Sequence, residues 1–132
     1  VNGQAPYDGT LTPDQLVERI RAGKGERPAD LVLKRGRVVN VFSGEITAAD
    51  VAIHDGVFVG VGPQYHGSAE VDLAGRFVVP GLIDGHIHIE STMMTPPRLA
   101  EALVVHGTTT IVSDPHEIAN VMGMEGIRYM LA

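Results

Sequence analysis

"PGLIDGHIHIES", Pro80 to Ser91, carries two imidazoles one residue apart inside an otherwise apolar run. Side chains at i and i+2 of a strand share a face, so an extended "LIDGHIHI" turns His86 and His88 to one side and Ile87 and Ile89 to the other. The apolar side suits a core, while two polar rings on the opposite face need another reason. Downstream come a loop "ESTMMTPP", a helix "RLAEALVVHG", a strand "TTTIVSD" and a helical tail from "PHEIANVMG". Thr95 as N-cap, Pro96 at the first helical position and Gly107 beyond the last turn delimit the helix. The order βαβα predicts two parallel strands joined by a helix, which is the opening of an α/β sheet or barrel. The sequence closes on "EGIRYMLA" inside an expected helix. Roughly 50 residues after Pro80 are about a fifth of the about 250 in a complete eight-stranded barrel, so truncation is expected.

Upstream of Pro80 the texture differs. From Asp30 to Val79 short β-branched runs alternate with turn residues: "DLVLKRGRVVNV", "DVAIHDGVFVGVG", "AEVDLAGRFVVP". Asp55-Gly56 is a strong two-residue hairpin signal, with Arg35-Gly36 and Ala74-Gly75 as weaker versions, and together they predict a small antiparallel sheet. Before it, "LTPDQLVERIRAGKG" predicts a helix. Thr12, Pro13 and Gln15 supply a capping box with proline at the first position, Leu16, Val17 and Ile20 form an apolar stripe, and Gly23 is the stop. The expected division is residues 1–29 as helix and extension, 30–79 as a small β domain, and 80–132 as two βα units.

Composition narrows the function classes. The 132 residues are 44% apolar, enough for one small core and too few for a large enzyme. Ten basic against 16 acidic residues give a net charge of −6 with no Lys/Arg run, which argues against nucleic acid and anionic membranes as partners. No stretch approaches the roughly 18 apolar residues of a membrane span. The start "VNGQAPYDGT" has neither a basic nor an apolar targeting segment, so a soluble, cytoplasmic chain is expected. Without cysteine, any metal site must use nitrogen and oxygen ligands.

Two imidazoles on one face suit a divalent ion such as Zn, Fe, Ni or Cu. An ion held this way can lower the pKa of a bound water molecule to about 7, which is hydrolytic chemistry. The alternative is a pair of half-buried histidines satisfied by backbone carbonyls. Position favours the ligand reading: the pair sits at the C-terminal end of a strand, where barrel enzymes place their chemistry, and Glu90 and Ser91 follow at once. The second strand ends in "SDPHE". Asp114, before a proline, is biased to stay extended at the strand end, and Pro115 can begin the next helical turn, with His116 and Glu117 in its first turn. Asp114 as N-cap and Glu117 as the acid of a capping box would account for those two without any function, whereas no cap requires His116. Glu90, Asp114, His116 and Glu117 are therefore the catalytic candidates, and Ser91 and Met93 the substrate-binding ones. Met93 and Met94 also fit a gap-filling role. His54, His66 and His106 receive no role.

With these residues in view, Pro80, Gly81, Ile83, Asp84, His86 and His88 resemble the "PGxIDxHxH" signature of the amidohydrolase superfamily. "GHIHIESTMMTPP", "HGTTTIVSDPHEIANVMG" and "EGIRYML" resemble its adenine deaminase family in particular, from about Asp30 to the end. The resemblance implies a small β domain, composite and sandwich-like, followed by a metal-dependent (β/α)8 TIM-type barrel. His86 and His88 would bind one ion of a binuclear centre of Mn or Fe, with Zn the alternative. It also implies that the remaining ligands, namely a bridging carboxylate or modified lysine, two histidines and an aspartate, and the usual aspartate base come from later strands beyond these residues. The implied reaction of the complete enzyme is hydrolysis of adenine to hypoxanthine and ammonia, a small-molecule substrate handled by a homo-oligomer. Two rivals stay open: an amidohydrolase acting on a cyclic amide or another amino-substituted base, and a non-catalytic remnant or interaction module.

Overall fold

The structure is a computed structural model that describes residues 11–131. The extension expected within residues 1–10 lies outside them. The described chain divides into two compact units, one ending at Val79 and one beginning at Pro80.

The first unit starts with helix α1, Pro13–Gly23. Its capping box is formed as the sequence predicts: the Gln15 N–H donates to Thr12 Oγ1 at 3.2 Å, and the Thr12 N–H donates to Gln15 Oε1 at 3.0 Å. Gly23 closes the helix as its last residue and Lys24 is the C-cap, so the stop comes one position later than expected. Next come β1 (Ala29–Val39), β2 (Ile46–His54), β3 (Val57–Gly62), β4 (Gly67–Asp72) and the two-residue β5 (Phe77–Val78). β1, β2 and β3 form the antiparallel meander that the turn signals predict. Asp55 and Gly56, at φ 51° and 70°, make the β2–β3 turn, and the turn is pinned because the Asp55 N–H donates to Asp30 Oδ2 at 2.7 Å.

The sheet as a whole is not antiparallel. β4 and β5 both run parallel to β1, giving a mixed sheet of order β3-β2-β1-β4 with β5 on the far half of β1. Arg35-Gly36 is not a hairpin turn either. Arg35 takes φ 57° within the continuous strand β1, and the register with β2 slips between Leu33 and Gly36. It is a bulge, and the same left-handed residue that would start a turn here bends a strand. Ala74-Gly75 does turn, at φ 48° and 81°, but it links two strands that pair with β1 and not with each other; the Gly75 N–H donates to the Arg35 carbonyl beside the bulge. Val32, Ala52 and Ala29 form the core under this sheet, flanked by Val59 and Tyr65. Asp50 and His54, 9% and 8% exposed, are the buried polar residues of this unit among those described; Asp50 accepts from Lys34 Nζ at 2.6 Å and from the Arg35 N–H at 2.9 Å.

The second unit contains β6 (Leu82–Ile87), a single 3-10 turn (Glu90–Thr92), α2 (Pro96–Val104), β7 (Thr108–Ser113), α3 (His116–Met122) and α4 (Met124–Leu131). β6 and β7 are parallel and joined through α2, as the βαβ pattern predicts. Thr95 is the N-cap of α2, though its side chain makes no capping bond, and Gly107 beyond the helix has φ 90°. Two irregularities break the ladder. Thr109 is an extra residue on β7 between the partners of Leu82 and Ile83, and β6 spends three steps from Asp84 to Ile87 against two on β7. Ile89 and Leu99 are its buried apolar side chains, 4% and 6% exposed. Among the described residues no helix is long and apolar enough to cross a membrane.

Candidate metal centre

β6 ends at Ile87, so His88 stands one residue past the strand. The two rings nevertheless converge: Nε2 of His86 lies 3.0 Å from Nε2 of His88. The bulge between Asp84 and Ile87 re-aims this stretch, and Asp84 Oδ1 accepts the His86 N–H at 3.1 Å, fixing the backbone where the strand departs from regular pairing. Asp84 belongs with the positioning residues that sequence reasoning missed. The signal was its place two residues before His86, the spacing of a side chain bonding to a nearby backbone N–H.

Across the sheet edge the Asp114 N–H donates to the Ile87 carbonyl at 3.0 Å, so Asp114 continues the ladder beyond β7 and its carboxylate joins the histidine pair. Asp114 is not an N-cap. Pro115 takes that place without a side-chain bond, and the Asp114 carboxylate turns to His116, with Oδ2 3.1 Å from Nδ1. The hydrogen bond from His116 holds the Asp114 carboxyl below the ordinary aspartate value; desolvation opposes this, and the charges of His116, His88 and His86 add to it. Glu117 is not a capping acid either, since its Oε1 accepts from the Ser91 hydroxyl at 2.8 Å. The ring of His116 packs edge-on against His88, with centroids 4.7 Å apart.

Glu90 does what the capping alternative assigned to Asp114 and Glu117. Its Oε1 accepts the Ile118 N–H at 3.1 Å, capping α3 from the neighbouring loop. Its carboxyl is held below the ordinary glutamate value first by its own backbone N–H. Desolvation opposes this, and the Ile118 N–H and the charges of His88 and His116 reinforce it. Ser91 is tied to Glu117, whereas Met93 is 95% exposed with φ 58°, and its N–H donates to the Glu90 carbonyl at 3.0 Å.

Among the described residues, two groups of donors come together closely enough to share an ion: His86, His88 and Asp114, and His88, His116 and Glu117. Within each group the ligand atoms lie within 4.8 Å of one another. The set fits a borderline divalent cation, being nitrogen plus carboxylate oxygen. A 3.0 Å separation is also less than twice the usual 2.0–2.1 Å metal–imidazole bond, so one ion can touch both nitrogens. An apolar concavity of about 370 Å³ between α2, β7 and α4, lined by Leu103, Thr109 and Met130 among others, includes none of these donors.

The parallel pair and the H-x-H strand end lie within residues 77–132, the stretch that matches the family model of the amidohydrolase family. The particular relatives are adenine deaminases. The chain is 53% identical over 117 residues to adenine deaminase of Listeria welshimeri, a match covering 89% of this chain and 20% of that protein. It is 53% identical over 120 residues to adenine deaminase of Methanoregula boonei, covering 91% and 22%. The chain thus spans about a fifth of the length of the curated relatives it matches. Among solved structures it resembles the L-hydantoinase (dihydropyrimidinase) of Arthrobacter aurescens, at 30% identity and a TM-score of 0.57, over 66% of this chain and 21% of that one.

Proposed function

We propose that residues 80–132 are the first two βα units of a (β/α)8 barrel, preceded by a helix and extension over 1–29 and a small β domain over 30–79. The barrel belongs to a cytoplasmic metal-dependent enzyme that deaminates adenine to hypoxanthine and ammonia. The observation that carries this reading is the convergence of His86, His88 and Asp114 on one sheet edge, in a chain half identical to adenine deaminases. His86 and His88 would hold the ion with Asp114 beside them, and Mn or Fe would suit imidazole plus carboxylate as well as Zn. A bound divalent ion supplies hydroxide-level nucleophilicity at neutral pH. In the reaction a C6–O bond forms, the C6–N bond breaks, and the departing amine needs a proton. His116 is built to move one, because its Nδ1 is held by Asp114 and its Nε2 is the atom left for exchange. Glu117, steadied by Ser91, offers a second carboxylate for proton transfer.

The test is ammonia release from adenine, guanine and cytosine, and ring opening of hydantoin and dihydroorotate followed by chromatography of the carbamoyl products, with a polypeptide that carries these residues at the length of its relatives. Turnover of adenine alone supports the proposal, and no ammonia from adenine overturns it. The second reading, a cyclic amide as substrate, is favoured by the likeness to the L-hydantoinase and predicts opening of hydantoin or dihydroorotate in the same assay.

A further inference from the structure

We infer that α1 is a strap: it is latched over the β2–β3 turn by Arg19 and Asp55, is jointed at Arg27 and Pro28, and opens as a unit while the sheet beneath it stays formed. The inference concerns the first unit alone and does not rest on the metal centre.

The apolar stripe expected to dock α1 does not do so. Leu16, Val17 and Ile20 stand 47%, 44% and 51% exposed, and Ala22 is the buried residue of the helix. The face that carries Ala22 also carries Glu18 and Arg19, because residues three and four apart stack on one side. The Arg19 side chain is 10% exposed, and its guanidinium donates to Asp55 Oδ2 from Nη2 at 2.6 Å and from Nε at 3.1 Å. Asp55 is in turn fixed to the sheet, since its N–H donates to Asp30 Oδ2. At the other end of the helix the Tyr65 hydroxyl donates to the Gly23 carbonyl at 2.8 Å. A Cβ at position 23 would lie 2.6 Å from the Val59 carbonyl, so the last turn rests directly on β3. Polar contacts at two points, with little apolar area between them, therefore hold α1 in place.

The backbone divides at the same place. The Glu26 N–H donates to the Arg21 carbonyl at 2.9 Å, so the chain up to Glu26 travels with the helix. The Ala29 N–H donates to the His66 carbonyl at 2.9 Å, and Ala29 is 1% exposed, so the sheet begins there. Arg27 and Pro28 lie between these two anchors, and Arg27 pairs with Glu18 across the joint. The core of Ala29, Val32 and Ala52 is held by the β1–β2 ladder, whose pairs include no residue of α1. Opening would bare the Val59 and Tyr65 side of that core and leave the ladder intact. An isolated helix of 11 residues is marginal in water, so α1 melts once it leaves the sheet and its amides exchange. The Asp55 side chain is 48% exposed, which lets salt screen the latch.

The experiment is peptide-resolved hydrogen exchange of the 132-residue chain in NaCl of about 20 mM and about 0.5 M, with the β1 and β2 amides as internal reference. In wild type, protection of residues 16–23 should lie at least about 10-fold below that of β1 and β2. Salt should speed exchange in 16–23 about 3- to 5-fold and leave the two strands unchanged. Asp55→Asn is the variant of choice, because Asn-Gly suits the same turn while the charge that holds Arg19 is gone. It should speed exchange in 16–23 about 5- to 10-fold and at least halve the response to salt, with β1 and β2 still protected. Protection of α1 equal to that of β1 in wild type would overturn the inference, and so would a salt response that is absent or shared by the strands. These wild-type results decide even if the variant fails to fold. An unchanged rate in 16–23 of a folded Asp55→Asn would overturn it as well.

Discussion

Replacing Gly81 by Ala tests how the sheet edge is built. A Cβ at position 81 would lie 2.0 Å from Oγ1, 2.5 Å from Cγ2 and 2.7 Å from Cβ of Thr109, where ordinary contact starts near 3.4 Å. Rotating Thr109 relieves the first two contacts but leaves its Cβ in place, so β6 and β7 must part by about 0.7 Å at this point, a typical overpacking strain. Thr109 is pressed there because it is the extra residue of the β7 bulge. The expected cost is about 2–3 kcal/mol, in the upper part of the overpacking range because the obstacle includes a branch carbon beside the backbone. Hydrogen exchange resolved by peptide is the assay, since it separates the two units. Amides in 82–87 and 108–113 should exchange about 30- to 150-fold faster, while those in 29–39 stay unchanged. Thr109→Gly should recover most of the loss in a double variant, giving a coupling of about 1–2 kcal/mol. A Gly81→Ala protein with native protection in β6 and β7, or simple additivity with Thr109→Gly, would show that the close approach does not set the packing.

Two further outcomes follow from the geometry. His88 belongs to both donor groups, so His88→Ala should weaken Co²⁺ binding by about tenfold more than His116→Ala, and equal losses would refute a shared ligand. Asp50→Ala should cost about 2–4 kcal/mol in urea unfolding, because it leaves the Lys34 ammonium with the Tyr65 carbonyl but no counter-charge and the Arg35 N–H without its acceptor, while Asp50→Asn retains one acceptor and costs about half. Desolvation pushes the Asp50 carboxyl up, but the Lys34 and Arg35 hydrogen bonds, the Lys34 charge and the Gln64 N–H outweigh it and hold it below the ordinary value. A lowered folded-state pKa means that this stability is present above the unfolded value of about 3.9 and is lost as pH falls through the folded one. The Asp50→Ala penalty should accordingly shrink below about pH 4, and a penalty constant from pH 7 to pH 2 would rule out the ion pair as its source.

Local grammar carried much of the fold. The Thr12–Gln15 box, the Asp55–Gly56 turn and the βαβ order each depend on residues within a few positions of one another, and each is present. What failed was non-local. A left-handed Arg35 before glycine reads equally as a hairpin turn or a bulge, and only the partner strand decides. The parallel return of β4 and β5 onto β1 depends on a crossover that turn residues cannot specify. At the site the same distinction holds. His86 and His88 do come together, but across a bulge and with His88 past the strand end, so regular alternation is not what joins them; and the acid that caps α3 could not be identified from its own neighbours. Asp114 and Glu117 stand where a cap belongs, yet His116 and Ser91 claim their carboxyl groups and Glu90 reaches across from the preceding loop.

The donors of the candidate centre come from two strands and a helix, so its geometry is a property of register and not of the H-x-H motif alone. His86 and His88 are offset by the bulge after Asp84, which places an odd residue on β6. Asp114 meets them only because its N–H pairs with the Ile87 carbonyl, and His116 follows because Asp114 holds its Nδ1. A slip of one residue between β6 and β7 would turn Asp114 to the other face of the sheet and carry His116 with it, while leaving His86 and His88 together. The two opposed irregularities, Thr109 on β7 and the Asp84–Ile87 segment on β6, restore the register that each would disturb alone. Gly81, the one residue able to accept Thr109, therefore supports the carboxylate at the opposite end of the strands, and the "PG" at the start of the motif and the "SDPH" that ends β7 are parts of one structural requirement.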